Sequence, residues 1–456
     1  MADRVVVVGW DGSPLSDAAR AALASATLVI GARRHLDSVP LPPNAARELP
    51  GSLEDTARRA AAHRGSPVVL TAGDPGFFGI VRALRRPEFG LEVEVVPAVS
   101  SVAAAFARAG MPWDDALVVN AAGGNLRRAV NVCRAHPKVA VLTGAGAGPA
   151  ELALLLRDLP RTFVVCEALG TPEETVSVLT ADRVADGSWR EPNIVLVTGL
   201  PPRIRAGAGP GSPAALPGPA TGVRGPATGG TVPAVLGRDA PALGSGTGGT
   251  APYGWIAGHP VDHPGAVRGW ALPEQRYLHR DSVVLNAEVR ALALARLGPR
   301  PGDLLWDVGA GSGSLSVEAA RFGAAVVAVD RDAAACEAVT ANAGAHGVEV
   351  QVVRGEAPAA LARLPQPDTV FVAAGGPTVV SACLARRPER LVAVVTAVQW
   401  VERIREAFAE HGYACDGVLL QASRLAPLAG GVHRFAAAGP TFMLWGSPGR
   451  AEPARG

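Results

Sequence analysis

Two stretches of the chain combine an apolar strand, a tight turn and polar groups at spacings that could hold a ligand. The first is Leu304-Leu-Trp-Asp-Val-Gly-Ala-Gly-Ser-Gly313, a buried strand running into a glycine-rich turn and a helix from about Ser314 to Arg321. Gly309, Gly311 and Gly313 permit positive φ and close backbone approach, and the helix start offers unpaired N–H groups to a nucleotide ligand. Asp307 ends the strand. Asp330, 21 residues after Gly309, ends the next strand, where a carboxylate can accept hydrogen bonds from ribose hydroxyls. A dinucleotide-binding turn needs a glycine at the sixth position counted from Gly309; Ser314 stands there, so the nicotinamide fingerprint is imperfect. The second stretch, Val68-Val-Leu-Thr-Ala-Gly-Asp-Pro-Gly-Phe-Phe-Gly79, puts Gly73, Asp74 and Pro75 at a strand end, in a turn-forming sequence.

Other reactive groups are sparse. Lys138 is the only lysine, so a Schiff base or phosphate-binding lysine would have to be that residue, whereas arginine, suited to binding carboxylates with its planar fork, is abundant. Cys133, Cys166, Cys336, Cys383 and Cys415 are odd in number and lack any C-x-x-C, which argues against a disulfide framework and a metal site. They read as reduced cytosolic thiols. The N-terminus has no secretory h-region and no uncharged apolar run reaches transmembrane length, so a soluble cytoplasmic protein is expected.

The elements that must position these groups follow from hydrophobic pattern. In the N-terminal half, strands are expected at Val5–Val8, 27–30, Val68–Thr71 and Leu91–Val96, then at Leu117–Asn120, Val139–Thr143, Thr162–Cys166 and Asn193–Thr198, with alanine-rich helices between. This half divides into two α/β lobes near Trp113. The C-terminal half alternates strands and helices from Leu304 to Thr396, the pattern of a parallel, Rossmann-like sheet covered on both faces, and ends in a possible antiparallel pair, 418–422 with 441–445. Residues 201–250 contain 13 Gly and 9 Pro but only five charged residues, a composition that cannot offset its ordering entropy. The expected organisation is therefore 1–200, a linker over 201–252, and 270–448. At 456 residues the chain can build more than one core, its 48% apolar content excludes general disorder, and a net charge of +2 removes the electrostatic case for a nucleic-acid binder.

With its spaced acids, the Asp307–Gly313 pattern resembles the class I S-adenosylmethionine-dependent methyltransferases. The resemblance implies that Asp307 faces the methionine part of S-adenosyl-L-methionine, that Gly309, Ala310, Gly311, Ser312 and Gly313 pass under it, and that Asp330 meets ribose and Glu356-Ala357 adenine. Glu288-Val-Arg-Ala-Leu-Ala-Leu-Ala-Arg-Leu297, Pro367-Asp-Thr-Val-Phe371 with Gly375-Gly376, and Ser423-Arg-Leu-Ala-Pro-Leu428 are similar to the decarboxylating precorrin methyltransferases. Over residues 4 to 199, Val5-Val-Val-Val-Gly-Trp-Asp-Gly12, Gly31-Ala-Arg-Arg-His35, the Gly73-Asp-Pro turn, Pro97-Ala-Val-Ser-Ser101 and Cys166-Glu-Ala-Leu-Gly-Thr-Pro-Glu-Glu174 resemble the tetrapyrrole methylase family. That family's cofactor positions map to Gly9, Gly73, Asp74, Pro75, Phe78, Ser100 and Ser101, although both serines could equally begin the next helix as caps.

The two resemblances, in this order, imply a bifunctional enzyme of corrin-ring (cobalamin) biosynthesis and a homo-oligomer. Its chemistry would be methylation of a precorrin at carbons 5 and 15 with loss of carbon dioxide from the ring C acetate. For the anionic tetrapyrrole, Arg276, Arg280, Arg424 and Arg434 flank the C-terminal site, and His279 and His433 are the candidates for a proton shuttle. Where relatives carry Thr-Lys before Glu-Val-Arg, this chain has Leu285-Asn286, and Asn286 could cap the helix. The alternatives are a methyltransferase acting on RNA or protein, which lacks support from an Asn-Pro-Pro-Tyr motif where Ala373-Ala-Gly-Gly376 stands, an NAD-dependent oxidoreductase, and a non-catalytic scaffold.

Overall fold

Val, Ile and Leu runs pair into three large sheets, seen in a computed structural model that describes residues 4–77, 79–122, 124–199, 269–279, 285–428, 431–437 and 439–449. Phe78, Arg280 and the expected linker 201–252 lie outside these residues. In the first sheet β1 (Arg4–Trp10), β2 (Leu28–Gly31), β3 (Ala46–Glu48), β4 (Pro67–Ala72) and β5 (Glu92–Val96) are all parallel, in the order β3-β2-β4-β1-β5. The carboxyl ends of β1, β4 and β5 therefore lie side by side, where open α/β sheets place ligands. The chain crosses to a second lobe after Gly110, a left-handed helix end.

In that lobe β6 (Leu117–Asn120), β7 (Lys138–Leu142), β8 (Thr162–Glu167), β9 (Thr175–Thr180) and β10 (Asn193–Thr198) run in the order β6-β7-β10-β8-β9, with β10 antiparallel to both neighbours. Lys138 is 1% exposed, its Nζ donating to Asp115 Oδ1 at 2.6 Å and to the Pro112 carbonyl at 3.0 Å. This lysine is held in a buried ion pair and has no access to substrate.

The C-terminal half contains β11 (Leu304–Val308), β12 (Ala325–Asp330), β13 (Gln351–Arg354), β14 (Thr369–Val372), β15 (Arg390–Val395) and β16 (Tyr413–Leu420), followed by the separate hairpin β17 (Ser423–Pro427) and β18 (His433–Ala437) and by β19 (Thr441–Pro448). The seven-stranded order is β13-β12-β11-β14-β15-β19-β16. Only β19 opposes its neighbours, and it pairs with β16 over eight residues. β11 is buried on both faces: Leu304, Trp306 and Val308 join one core cluster, Leu305 joins another with Phe371, Val392 and Met443.

A fully buried ion pair fixes the approach to this sheet. Arg290 and Glu318 are both 0% exposed, with Arg290 Nε donating to Glu318 Oε1 at 2.6 Å. Glu318 also accepts from the backbone N–H groups of Ala271 and Leu272 and from the Tyr277 hydroxyl, while Arg290 donates to the Leu272 and Leu285 carbonyls. Replacing one partner strands the other charge in a dry site, so Arg290→Met is expected to cost about 3–5 kcal/mol. Chemical denaturation measures this; a loss under about 1 kcal/mol would mean that water reaches Glu318.

Candidate active site

The glycine turn of the C-terminal half is a backbone-built cradle. Gly309 has φ +79°, and a Cβ there would lie 2.5 Å from the Ala374 Cβ and 2.9 Å from the Ala374 nitrogen, so only glycine lets the ends of β11 and β14 approach. The turn is pinned to β12: Gly309 N–H donates to the Val329 carbonyl at 2.8 Å and Gly311 N–H to Asp330 Oδ2 at 2.9 Å. Asp330 Oδ1 accepts from Asp332 N–H, so this carboxylate is held rigid while each oxygen keeps a further lone pair.

These groups border a cavity of about 620 Å3 at the carboxyl ends of the parallel strands, a volume in the range of small-molecule sites. Its lining includes Asp307, Gly309, Ala310, Gly311, Asp330, Glu356 and Ala357. Ser312 and Gly313, expected under the ligand, do not line it. Ser312 is buried with its carbonyl accepting from Asn342 Nδ2 at 2.8 Å, and Gly313 packs on Val339, so both hold the turn from behind. Sequence reasoning missed Phe371, Thr396, Trp400 and Thr441, which complete the wall.

Asp307 is 1% exposed and accepts from the Ser316 hydroxyl at 2.5 Å. Burial pushes its carboxyl up to about 6, against the opposing effect of the Ser316 hydrogen bonds. Among the described residues the remaining titratable groups at the wall are Asp330, Arg331 and Glu356. A nucleoside-bearing group fits here: an acid at each of two strand ends, a cradle that a Cβ would fill, and aromatic walls.

The expected cations stand elsewhere. Arg424 is a correction: its guanidinium is occupied by Glu274 (2.6 and 2.7 Å) and Glu288 (2.5 and 2.9 Å), which holds the β17–β18 hairpin to the segment before the helix Ala287–Leu297. The same contacts pull the Glu274 carboxyl down to about 2. Asn286 occupies the cap position of that helix without a side-chain capping bond; Glu274 Oε1 takes the Ala287 N–H instead. Arg276, His279, His433 and Arg434 are exposed and do not line the cavity. Leu285, just before the cap of the helix Ala287–Leu297, does line it.

In the N-terminal half the loops after β1, β4 and β5 meet. A Cβ on Gly9 would lie 2.9 Å from Pro75 Cδ and 3.0 Å from the Ala98 nitrogen, and Gly73 N–H donates to the Trp10 carbonyl at 2.8 Å. Asp11, overlooked as a site residue, links these loops: Oδ2 accepts from Val99 N–H and Oδ1 from Ser13. Burial alone would raise its carboxyl, but the Ser13 and Val99 hydrogen bonds hold it below the ordinary value. Asp74 Oδ1 closes its own turn on Gly76 N–H, and Ser100 caps the helix Ser101–Ala109 through Ala103 N–H at 3.1 Å. The buried Thr71 hydroxyl, opposite Gly9 in the sheet, has no partner among the described residues, which fits a polar ligand at this junction. Gly12 abuts Gly170, bringing the end of β8 to the same place.

Two family models match the chain: tetrapyrrole (corrin/porphyrin) methylases over residues 8–185 and a precorrin methyltransferase domain over residues 276–445. The precorrin-6Y C(5,15)-methyltransferase [decarboxylating] of Sinorhizobium sp is 32% identical over 387 residues, 82% of this chain and 78% of that protein. The protein of the same name from Mycobacterium tuberculosis (strain CDC 1551 / Oshkosh) is 28% identical over 90% of each chain. A solved C-terminal domain of precorrin-6Y C5,15-methyltransferase from Rhodobacter capsulatus is 30% identical, covering 39% of this chain and 97% of that one, with a TM-score of 0.35.

Because the folded-state Asp307 carboxyl lies above its ordinary value, its contribution to stability is fully present below about pH 4 and is lost as pH rises through about 6. Asp307→Asn is therefore expected to be more stable than the parent by about 3 kcal/mol at pH 8, with the advantage nearly gone at pH 4. Denaturant melts at the two pH values check this; an advantage independent of pH would contradict a raised Asp307.

Proposed function

The chain belongs to the decarboxylating precorrin-6Y C(5,15)-methyltransferases, and from that membership we propose that it methylates the corrin precursor at carbons 5 and 15 and removes carbon dioxide from the ring C acetate, using S-adenosyl-L-methionine. The observation that supports this most is the convergence of Asp307, Gly309 and Asp330 on one cavity, with a second convergence of Gly9, Gly73 and Ser100 in the other half. The first half is assigned carbon 5, the second carbon 15 and the decarboxylation.

When bound, S-adenosyl-L-methionine supplies an electrophilic sulfonium methyl. The protein's task is then alignment and exclusion of water rather than acid–base chemistry. Asp330 orients ribose hydroxyls, Asp307 receives the methionine ammonium, and Phe371, Trp400 and Leu285 supply a dry wall. Glu356 and Ala357 border the adenine position. In the first half Gly9, Gly73, Asp74 and Pro75, with Phe78 and Ser101 nearby in sequence, form the cofactor side of the junction. In the decarboxylation the bond to the carboxylate breaks, its electron pair passes into the conjugated macrocycle, and a proton returns to the acetate carbon; His279 and His433, exposed and outside the cavity wall, are its candidate sources only where the substrate extends beyond that wall. Arg276 and Arg434, likewise outside the wall, and Arg280 are the candidates for the carboxylates of the extending part.

We place the enzyme in the cytoplasm as a homo-oligomer without nucleic-acid or membrane partners. No helix of the described residues is long and apolar enough to cross a membrane, and Leu425, Val432 and Phe435 of the β17–β18 hairpin are 63%, 58% and 73% exposed, a surface that supports assembly of copies.

Anaerobic incubation with S-adenosyl-L-methionine and the reduced precorrin-6 substrate, followed by product mass, tests the reading. A gain of two methyls and loss of one carbon dioxide is expected. Gly309→Val should remove one methylation together with the decarboxylation while Gly9→Val removes the other methylation; loss of both from either single change would overturn the division.

A further inference from the structure

The two halves touch through surfaces that lie away from the second half's cavity. The helix Leu126–Ala135 of the first half faces its own lobe with Ala129, Val130, Val132 and Cys133, and turns Arg127, Arg128, Asn131 and Arg134 to the other half. Arg127 pairs with Asp368 and donates to the Gln366 carbonyl, both just before β14. Arg128 and Asn131 donate to the carbonyls of Pro301 and Gly302, before β11, and Asn131 Nδ2 reaches Asp368 Oδ2. Arg134 meets Gln351 at the start of β13, and Arg161, 5% exposed, pairs with Glu349.

Every partner on the second half sits at or before the amino end of a parallel strand. The order along the helix matches the order across the sheet, β14, then β11, then β13, so the helix lies across the strand starts. The cavity opens at the carboxyl ends, after Val308, Asp330, Arg354, Val372 and Val395. The length of the strands therefore separates it from the first half, about 17 Å for a five-residue strand. In the first half the ligand junction is reached at the carboxyl end of β8, through Gly170, whereas Arg161 meets the second half at its amino end.

We propose, on the basis of the function given above, that the two sites of one chain turn away from each other and that the singly methylated corrin is released to solvent between the two reactions. The interface thus holds the halves together without forming a passage. Buried Asn131 and the Arg161–Glu349 pair favour that orientation, because their bonds to the second half exist only while the halves stay docked.

The test mixes two full-length variants, Gly9→Val and Gly309→Val, in equal amounts, and compares doubly methylated product with wild type at equal concentration of each intact site. Release predicts rates within about twofold and a lag that shortens in proportion as protein concentration rises. A mixture tenfold slower, or a wild-type lag independent of concentration, would overturn the proposal. Should a variant fail to fold, the wild-type chain is run with a trideuteromethyl donor and excess unlabelled singly methylated corrin. Release predicts diluted label in the product, and undiluted label refutes it. A wild-type chain that methylates nothing would instead overturn the assigned function, a failure visible before any variant is mixed.

Discussion

The Arg290–Glu318 pair decides whether the C-terminal cavity has a wall. Glu318 stands in the helix Ser314–Arg321, whose start is the glycine turn, and its carboxylate gathers Ala271, Leu272 and Tyr277. Arg290 reaches back to the Leu285 carbonyl and so fixes the residue that lines the cavity. Two charges removed wholly from water are tolerable because each guanidinium nitrogen and both carboxylate oxygens find a partner, and apart from the Tyr277 hydroxyl the further partners are backbone groups of the segment being held. The cost of burying the pair is thus linked to the placement of Ala271, Leu272, Tyr277 and Leu285. Tyr277, raised above its ordinary value by burial and by Glu318, stays protonated and donates into the same cluster.

Parallel sheets impose the next constraint. Side chains along β11 are consumed by packing on both faces, so chemistry can occur only where strands end. The carboxyl ends take the ligand because the following turns can bend back and present N–H groups and carboxylates, as Gly309, Gly311 and Asp330 do. The amino ends, left with short polar connections, are free to dock another lobe. Arginine suits that role: the helix Leu126–Ala135 carries four polar residues on one side, three of them arginines that reach carbonyls and carboxylates at three strand starts.

What the sequence made legible follows this division. The strand, glycine turn and spaced acids of residues 304–330 are local, and each was readable because its backbone demand is written in neighbouring residue types. The wall residues Phe371, Thr396, Trp400 and Thr441 come from three separate stretches with no shared pattern, so only the folded sheet assembles them. Arg424 looked available because a lone arginine carries no sign of its partner; Glu274 and Glu288 lie 150 and 136 residues away. The place of Ser312 in the motif suggests that it faces the ligand, but Gly309, Ala310 and Gly311 line the cavity and the chain then turns Ser312 back onto Asn342. The strands β3, of three residues, and β9, whose pairing is set by β8, lack the length or contrast that periodicity needs.

Among the described residues few titratable groups border the second cavity, which is consistent with the kind of work expected there. A site that must generate a nucleophile concentrates bases of perturbed pKa; here the shift of Asp307 comes from burial. A carboxyl raised to about 6 remains mostly ionised near neutral pH, yet a cation placed beside it would be bound in a low-dielectric setting where the attraction is strong. Burial therefore weakens Asp307 as an isolated anion and strengthens it as a partner. The energetic cost of burying the Asp307 carboxyl becomes selectivity for a positively charged ligand, and the rest of the wall, Phe371, Trp400 and Leu285, needs only to keep water from competing.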